Sequence, residues 1–254
     1  MSNEDLSEDM LSAVNALSRK LDYPAKDIEK GIVKIMKEKS LEEAKAYSTW
    51  KRSNRGLFKS KNYEFIVFGK TEMATVPVRS RADPEVKENK DVSNINVIVK
   101  TDDGLKAYVM SFWEEDASLA EEYEVGKHYS GRLTLTTKGY ANIIGKTNGV
   151  VKEPSIPQLE KLIPKIKGAD ISDAVSNIGK FGFYVGMVAN VTDKGVEVDS
   201  PTALPVMCWT SSIEDVPNIS EGDEVLVFGR SYENRSADVN LSASAIFKLA
   251  ESVE

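Results

Sequence analysis

Two tryptophans hold matching places in the sequence, each near the end of a run in which apolar and polar residues alternate. Trp113 closes the run Leu105–Trp113, and Trp209 lies at the end of Leu204–Thr210. An exposed aromatic ring with cations nearby can stack on an unpaired nucleic-acid base while the cations contact phosphates, at about 1–3 kcal/mol per base. The competing interpretation is core packing, the commoner place for a large aromatic side chain.

A second aromatic ring and several cations follow each tryptophan. Tyr140 comes after the turn Lys138-Gly139, and Tyr232 lies between Arg230 and Arg235. The predicted contacts with bases are Trp113, Tyr140, Trp209 and Tyr232. The predicted contacts with phosphates are Lys51, Arg52, Arg55, Arg79, Arg81, Arg132, Lys138, Lys146, Arg230 and Arg235.

The segments around Trp113 follow a defined order. After a first strand, Tyr63–Lys70, come two strands joined by the turn Thr101–Gly104, an acidic helix-forming run, and two more strands. The long charged stretch Thr71–Ser93 is expected to be a loop, and in this arrangement it borders the ligand groove. The predicted segments after it are Asn96–Lys100, Leu105–Trp113, Glu114–Glu124, Tyr129–Thr136 and Tyr140–Gly145. This order is that of an OB-fold, a small five-stranded barrel that binds oligonucleotides or oligosaccharides.

The same order occurs a second time, which makes an internal repeat. A turn at Thr192–Gly195 joins the first two strands, and Gly222-Asp223 precedes the strongly apolar fourth strand. The predicted strands are Phe183–Val191, Val196–Asp199, Leu204–Thr210, Glu224–Gly229 and Asp238–Leu249. The interval Ser211–Ile219 is expected to be a loop or a short helix.

The predicted fold is mainly β with an α-helical N-terminal module, and it contains two tandem OB-fold barrels joined by a short helical connector. Helical spacing of apolar residues fills the first part of the chain, and Ser40 with Glu43 resembles a capping box for a third helix. These helices are interpreted as an adaptor or dimerisation module, or alternatively as a nucleic-acid reader, and the basic stretch after them as a solvated linker or a phosphate-binding arm. The predicted segments are residues 1–50 (helices), 51–62 (basic linker), 63–153 (barrel one), 154–180 (connector) and 181–254 (barrel two).

Composition and charge restrict the function classes. The chain has 254 residues, a net charge of −7, one Cys and one His. With so few Cys and His side chains, neither a disulfide nor a Cys/His zinc site is expected, and an intracellular location in the cytoplasm, nucleoid or nucleus is predicted. No signal peptide or membrane span is indicated. Residues 44–62 nevertheless carry six basic and no acidic side chains, and phosphate binding requires a local positive field rather than a positive total.

The sequence around both tryptophans resembles a known family. The segments VMSFWEEDA (Val109–Ala117) and SGRLTLTTKGYANI, and less closely VMCWTSS and GDEVLVFGRSYENR, are similar to the DNA-binding OB-folds of replication protein A. The resemblance covers about residues 63–250. It implies base stacking by Trp113 and Tyr140, and by Trp209 and Tyr232 in the second repeat. The Cys-rich zinc element of many family members is missing here.

The sequence therefore predicts a non-catalytic protein that binds single-stranded DNA in replication, recombination or repair, with no cofactor, metal or membrane partner. The N-terminal helices are candidates for contacting other replication or repair proteins. A phosphate-binding glycine loop, a nucleophile elbow and a Cys/His dyad are all missing from the sequence. Two alternatives stay open, a protein-interaction scaffold built on OB-folds and a protein that binds structured RNA such as tRNA.

Overall fold

The computed structural model of the chain describes residues 6–79, 85–145, 149–200, 203–210 and 218–249. It divides into two compact units, Met1–Lys61 and Asn62–Glu254. In the described residues, every helix is too short or too polar to cross a membrane.

The first unit consists of three α-helices. They are α1 (Glu8–Leu21), α2 (Ala25–Lys39) and α3 (Glu43–Ser53), and a 3-10 turn, Leu57–Lys59, follows them. Pro24 separates the first two helices because proline is accepted at a helix start but not in its interior. The stretch predicted as a basic linker thus includes the end of α3, the 3-10 turn and the first residues of the next strand.

A carboxylate from α3 completes the cap of α1. Ser7 Oγ accepts a hydrogen bond from Met10 N, and Glu43 accepts hydrogen bonds from Ser7 N and Ser7 Oγ, both at 2.6 Å. The predicted capping box of Ser40 and Glu43 is wrong, because Ser40 instead ends α2 with φ 48°. Met10 occupies the position where a capping-box glutamate would stand, and its side chain cannot accept the Ser7 N–H, so a glutamate from another helix does so.

The second unit begins with a barrel of five strands, to which two further strands, the second and the seventh below, are added. Its elements are β1 (Lys61–Lys70), β2 (Ala74–Arg79), β3 (Lys87–Thr101), β4 (Gly104–Trp113), a 3-10 helix (Glu114–Glu122), β5 (His128–Leu135), β6 (Ala141–Ile143) and β7 (Gly149–Val150). Strand β1 lies between β3 and β5, β4 pairs with β3, and β6 pairs with β5. A parallel bridge between Val109 and Tyr140 joins β4 to the start of β6 and closes the barrel.

The expected long loop between the first two barrel strands is a β-hairpin instead. Strand β2 pairs antiparallel with Lys87–Val92, so β3 begins nine residues before the predicted strand Asn96–Lys100. Alternation of Val76 and Val78 with polar neighbours supports this strand, although Pro77 restricts β2 to an edge position. The predicted helix after Trp113 is also a 3-10 helix rather than an α-helix.

The second barrel follows a connector made of α4 (Leu159–Leu162), a 3-10 turn, β8 (Ala169–Asp170) and a second 3-10 segment, Ile171–Asn177. Its strands are β9 (Phe181–Thr192), β10 (Gly195–Ser200), β11 (Ala203–Trp209), β12 (Glu224–Glu233) and β13 (Val239–Lys248). Antiparallel ladders link β9 to β10 and β12, β10 to β11, and β12 to β13. A short parallel ladder joins β11 to β13. The predicted fold class is confirmed.

An aromatic junction holds the two barrels together, and we define it as Phe68, Phe181, Phe183, Phe228 and Phe247. Phe68 is 4% exposed, and its ring centroid lies 5.1 Å from that of Phe228 and 5.6 Å from that of Phe183. Strand β1 therefore buries both of its faces, since Phe65 and Val67 point into barrel one while Ile66 and Phe68 point toward the connector and barrel two.

Candidate nucleic-acid interface

Trp113 is exposed at the end of β4. Its neighbour Phe112 points into the barrel, and the pleat turns Trp113 outward, where it lies opposite Val92 of β3. Trp113 is 42% exposed, so it is not a core residue.

Carboxylates pair with the lysine that lies on the same face of the sheet as Trp113. Lys90, on the same face of β3, lies 3.1 Å from Glu114 Oε1 and 3.7 Å from Glu88 Oε2. The ammonium group of Lys90 on β3 thus pairs with two carboxylates. Arg79 is exposed on β2 opposite Lys87, and strand alternation places this pair on the other face of the hairpin from Lys90.

Tyr140 is half-buried and packs against the second barrel. Its ring meets Phe181 edge-on, with the centroids 5.2 Å apart. The preceding turn is fixed as well, because Phe181 N donates a hydrogen bond to Lys138 O at 3.0 Å. The side chain of Lys138 remains exposed beside this contact.

The other cations predicted for barrel one are placed less favourably. Arg132 is 8% exposed, so little of its side chain is available to a phosphate. Arg81 and Lys146 lie outside the described residues.

Trp209 belongs to a row of side chains that crosses the second barrel, and we call Trp209, Ser242, Arg230 and Phe181 the Trp209 row. Trp209 pairs with Ser242, Ser242 with Arg230, and Arg230 with Phe181, so the four side chains share one face of the sheet. Trp209 is 39% exposed, whereas its neighbour Cys208 is buried in the barrel interior. The row places an exposed indole and a guanidinium on the same surface.

Arg230 is exposed, and its Nε donates to Gly179 O at 3.3 Å. Within the part of the chain that the structure describes, this guanidinium makes no ion pair. Tyr232 is half-buried two residues further along β12, and Arg235 is exposed in the following turn, which Asn234 braces by accepting hydrogen bonds from Ser236 N and Asp238 N.

The predicted cations of the first unit lie on one stretch at the end of α3. Lys51, Arg52 and Arg55 are all exposed, and Lys51 Nζ is 5.2 Å from the centre of the Tyr47 ring. A lysine positioned over an aromatic ring is attracted by the negative face of the ring. The stretch can therefore contact phosphates from a helical support rather than from a flexible arm.

Three residues of the candidate interface were not predicted from the sequence, namely Lys90, Ser242 and Phe181. The alternation in Ala74–Arg79 was a signal for the hairpin that carries Lys90. The positions of Ser242 and Phe181 depend on ladder registers between strands distant in sequence, for which the sequence offered no signal. Across the described residues, His, Cys, Asp and Glu side chains form no group of three or more that could hold a metal ion.

The ladders and exposed rings define a class of protein, in which helices precede two tandem OB-fold barrels with a tryptophan at the same strand end of each. Comparison of the sequence with family models and with curated proteins gives no match. Solved structures of similar fold include a murine DNA binding protein bound to double-stranded DNA, with 12% identity and a TM-score of 0.38 over 75% of this chain and 100% of that chain.

Two further solved structures are of proteins described as binding or bound to single-stranded DNA. The replication protein A heterotrimer bound to single-stranded DNA is 9% identical with a TM-score of 0.43, over 77% of this chain and 50% of that chain. The single-stranded DNA binding protein from Thermus aquaticus is 12% identical with a TM-score of 0.24, over 77% and 96%. The resemblance to replication protein A is thus a coarse one.

Proposed function

We propose that this chain binds single-stranded DNA without catalysis, as an intracellular protein of replication, recombination or repair. Trp113 and Trp209 stack on bases, and Tyr140 and Tyr232 contribute the parts of their rings that packing leaves uncovered. The exposed cations Lys138, Arg230 and Arg235 contact phosphates, with Arg79, Lys51, Arg52 and Arg55 as further contacts. The N-terminal helices supply a surface for partner proteins.

One observation carries this proposal, namely the equal exposure of two tryptophans at the same strand end of two barrels. Trp113 is 42% and Trp209 is 39% exposed, whereas Trp50, in the helical unit, is 4% exposed. A large aromatic side chain left in water loses the stabilisation that burial gives it, about 25 cal/mol per Å² of apolar surface. A base that stacks on the ring recovers part of this stabilisation and does so for any base, which makes the binding tolerant of sequence.

The test is a fluorescence-anisotropy titration with a labelled mixed-sequence strand of about 30 nucleotides, enough for two barrels at about 4–16 nucleotides each. It compares the full-length protein with the double variant Trp113→Ala/Trp209→Ala at two salt concentrations. The control is Leu105→Ala/Met187→Ala, which removes equally exposed apolar side chains from β4 and β9, since Leu105 is 42% and Met187 is 45% exposed.

We expect the wild type and the control to bind alike, with an affinity that falls as salt rises because counterions are released from the phosphates. The tryptophan double variant should lose more than about 1 kcal/mol of binding free energy, the low end for one stacked base. Failure of the wild type to bind at low salt would overturn the proposal and favour a protein-interaction scaffold. Preference for a folded RNA over the single strand would favour the structured-RNA alternative.

A further inference from the structure

The two tryptophans have different charged surroundings, although their exposed fractions are nearly equal. Three carboxylates, Glu114, Glu115 and Asp116, directly follow Trp113, whereas the first carboxylates after Trp209 are Glu214 and Asp215, five and six residues further on and outside the described residues. Exposure alone would make the two rings equivalent partners for a base. Any difference in their affinity for a base therefore has to come from the charges around them.

At Trp113 a phosphate meets carboxylates that are already paired. In the described part of β3, the cation two residues from Val92 on this face is Lys90, whose side chain is 27% exposed and contacts Glu114 and Glu88. To reach a phosphate, Lys90 has to leave these partners, and the phosphate then lies beside two uncompensated carboxylates. Like charges at short distance repel, and this repulsion offsets part of the stacking free energy.

At Trp209 the cation is available without such an exchange. Arg230 lies two strands away on the same face, about 10 Å between Cα atoms at the usual strand spacing, with the small Ser242 between them. Among the described residues, the guanidinium of Arg230 donates its hydrogen bond to the neutral carbonyl of Gly179. A backbone phosphate can therefore pair with the guanidinium while its base lies on the indole.

We infer that the second barrel, through Trp209 and Arg230, provides the dominant contact with single-stranded DNA, and that Glu114 and Glu88 weaken the site at Trp113. The inference rests on the proposed function. The second barrel takes this role although residues 155–254 carry 15 acidic and 8 basic side chains. The charges close to the ring, rather than the net charge of the barrel, decide the affinity for single-stranded DNA.

The first test compares single variants of the full-length protein in the same anisotropy titration. Trp209→Ala should weaken binding at least about tenfold, within the range for one stacked base, and Trp113→Ala less than about threefold. Arg230→Gln should reduce the slope of log affinity against log salt by about one unit. A loss for Trp113→Ala that equals or exceeds the loss for Trp209→Ala would overturn the inference and leave the proposed function intact.

The second test concerns the carboxylate. Glu114→Gln should strengthen binding about two- to fivefold, since it removes the closer of the two carboxylates that pair with Lys90. Asp103→Asn is a matched control because Asp103 also forms an exposed ion pair, with Lys106 at 3.0 Å, and changes the net charge equally. Equal effects of the two variants would contradict the role of Glu114.

Intrinsic fluorescence provides a readout independent of affinity. Bound single-stranded DNA should quench the protein strongly in Trp113→Phe and weakly in Trp209→Phe, whereas the opposite order would overturn the inference. Absence of any binding by the wild type would instead refute the proposed function itself, so the two failures are distinguishable.

Discussion

Tyr140 of the first barrel and Phe181 of the second meet edge to face, with ring centroids 5.2 Å apart and an interplanar angle of 83°. This is a favoured aromatic geometry, worth about 0.5–1.5 kcal/mol beyond the buried area. The contact couples the turn before β6 to the first residue of barrel two. Trp113 is therefore the more accessible aromatic ring of the first barrel.

Gly139→Ala should destabilise this junction. Gly139 has φ 86°, and a Cβ there would lie 2.7 Å from Phe181 Cβ, closer than two carbons can approach. Overpacking of this kind costs about 1–3 kcal/mol, in addition to the strain of a left-handed alanine. Chemical denaturation of the full-length protein should show the loss.

The variant Gly126→Ala distinguishes backbone strain from overpacking. Gly126 has φ 84° with no atom within 4 Å of the added Cβ, so it carries the backbone strain alone. The Gly139 variant should be the less stable of the two by at least about 1 kcal/mol. Equal stabilities would mean that Phe181 moves away without cost.

Gly31→Ala should destabilise the helical unit, although alanine is the better helix former by about 1 kcal/mol. Gly31 lies within α2, and a Cβ there would be 2.7 Å from Cδ1 of the buried Trp50. We expect a net loss of about 1–2 kcal/mol, since overpacking exceeds the propensity gain. Thermal unfolding monitored by circular dichroism measures it.

A double-mutant cycle with Trp50→Leu tests the cause of that loss. The smaller side chain removes the indole from Gly31, so alanine should be neutral or stabilising in this background. A loss that persists in the Trp50→Leu protein would refute steric exclusion as the cause.

Glu64 should make the attachment of the connector sensitive to acid. Its carboxylate accepts hydrogen bonds from Ser155 N, Ser155 Oγ and Ile156 N at 2.6–2.9 Å. Burial raises the pKa of Glu64, but these hydrogen bonds outweigh burial and the pKa is lowered. The stabilisation is thus present above the ordinary glutamate pKa of about 4.3 and is lost as the pH falls through the lowered value.

The comparison of wild type with Glu64→Gln checks this prediction. The difference in unfolding free energy should be constant above about pH 5 and shrink below about pH 4. Glu115→Gln, at an exposed carboxylate of the same barrel, is the matched control. A Glu64→Gln protein with wild-type acid sensitivity would contradict the role of this carboxylate.

Cys208 should be unreactive in the folded protein. Its thiol lies in the interior of the second barrel with no exposed surface, and burial raises its pKa far above the ordinary value. Because the thiolate is the reactive form, an aromatic disulfide reagent should label the protein only as it unfolds. Rapid stoichiometric labelling of native protein, measured by absorbance, would show that the barrel opens at β11.

The strands of both barrels could be predicted because alternation and turn residues are local signals. The predicted strand Phe183–Val191 falls within β9, and Leu105–Trp113 within β4. The hairpin formed by β2 escaped prediction because its charged residues are typical of a loop. The predicted capping box failed because Ser40 and Glu43 have the right local spacing but bind elsewhere.

The sequence by itself determined the element order, the internal repeat, the location of the tryptophans and the basic stretch before the barrels, since all of these follow from neighbouring residues. Only the tertiary structure decided that Phe68 and Tyr140 contact another barrel, that Lys90 pairs with Glu114, and that Arg230 shares a face with Trp209. Those relationships depend on strand register and on packing between distant segments. Registers of that kind are fixed by the buried faces of the whole fold rather than by any local run of residues.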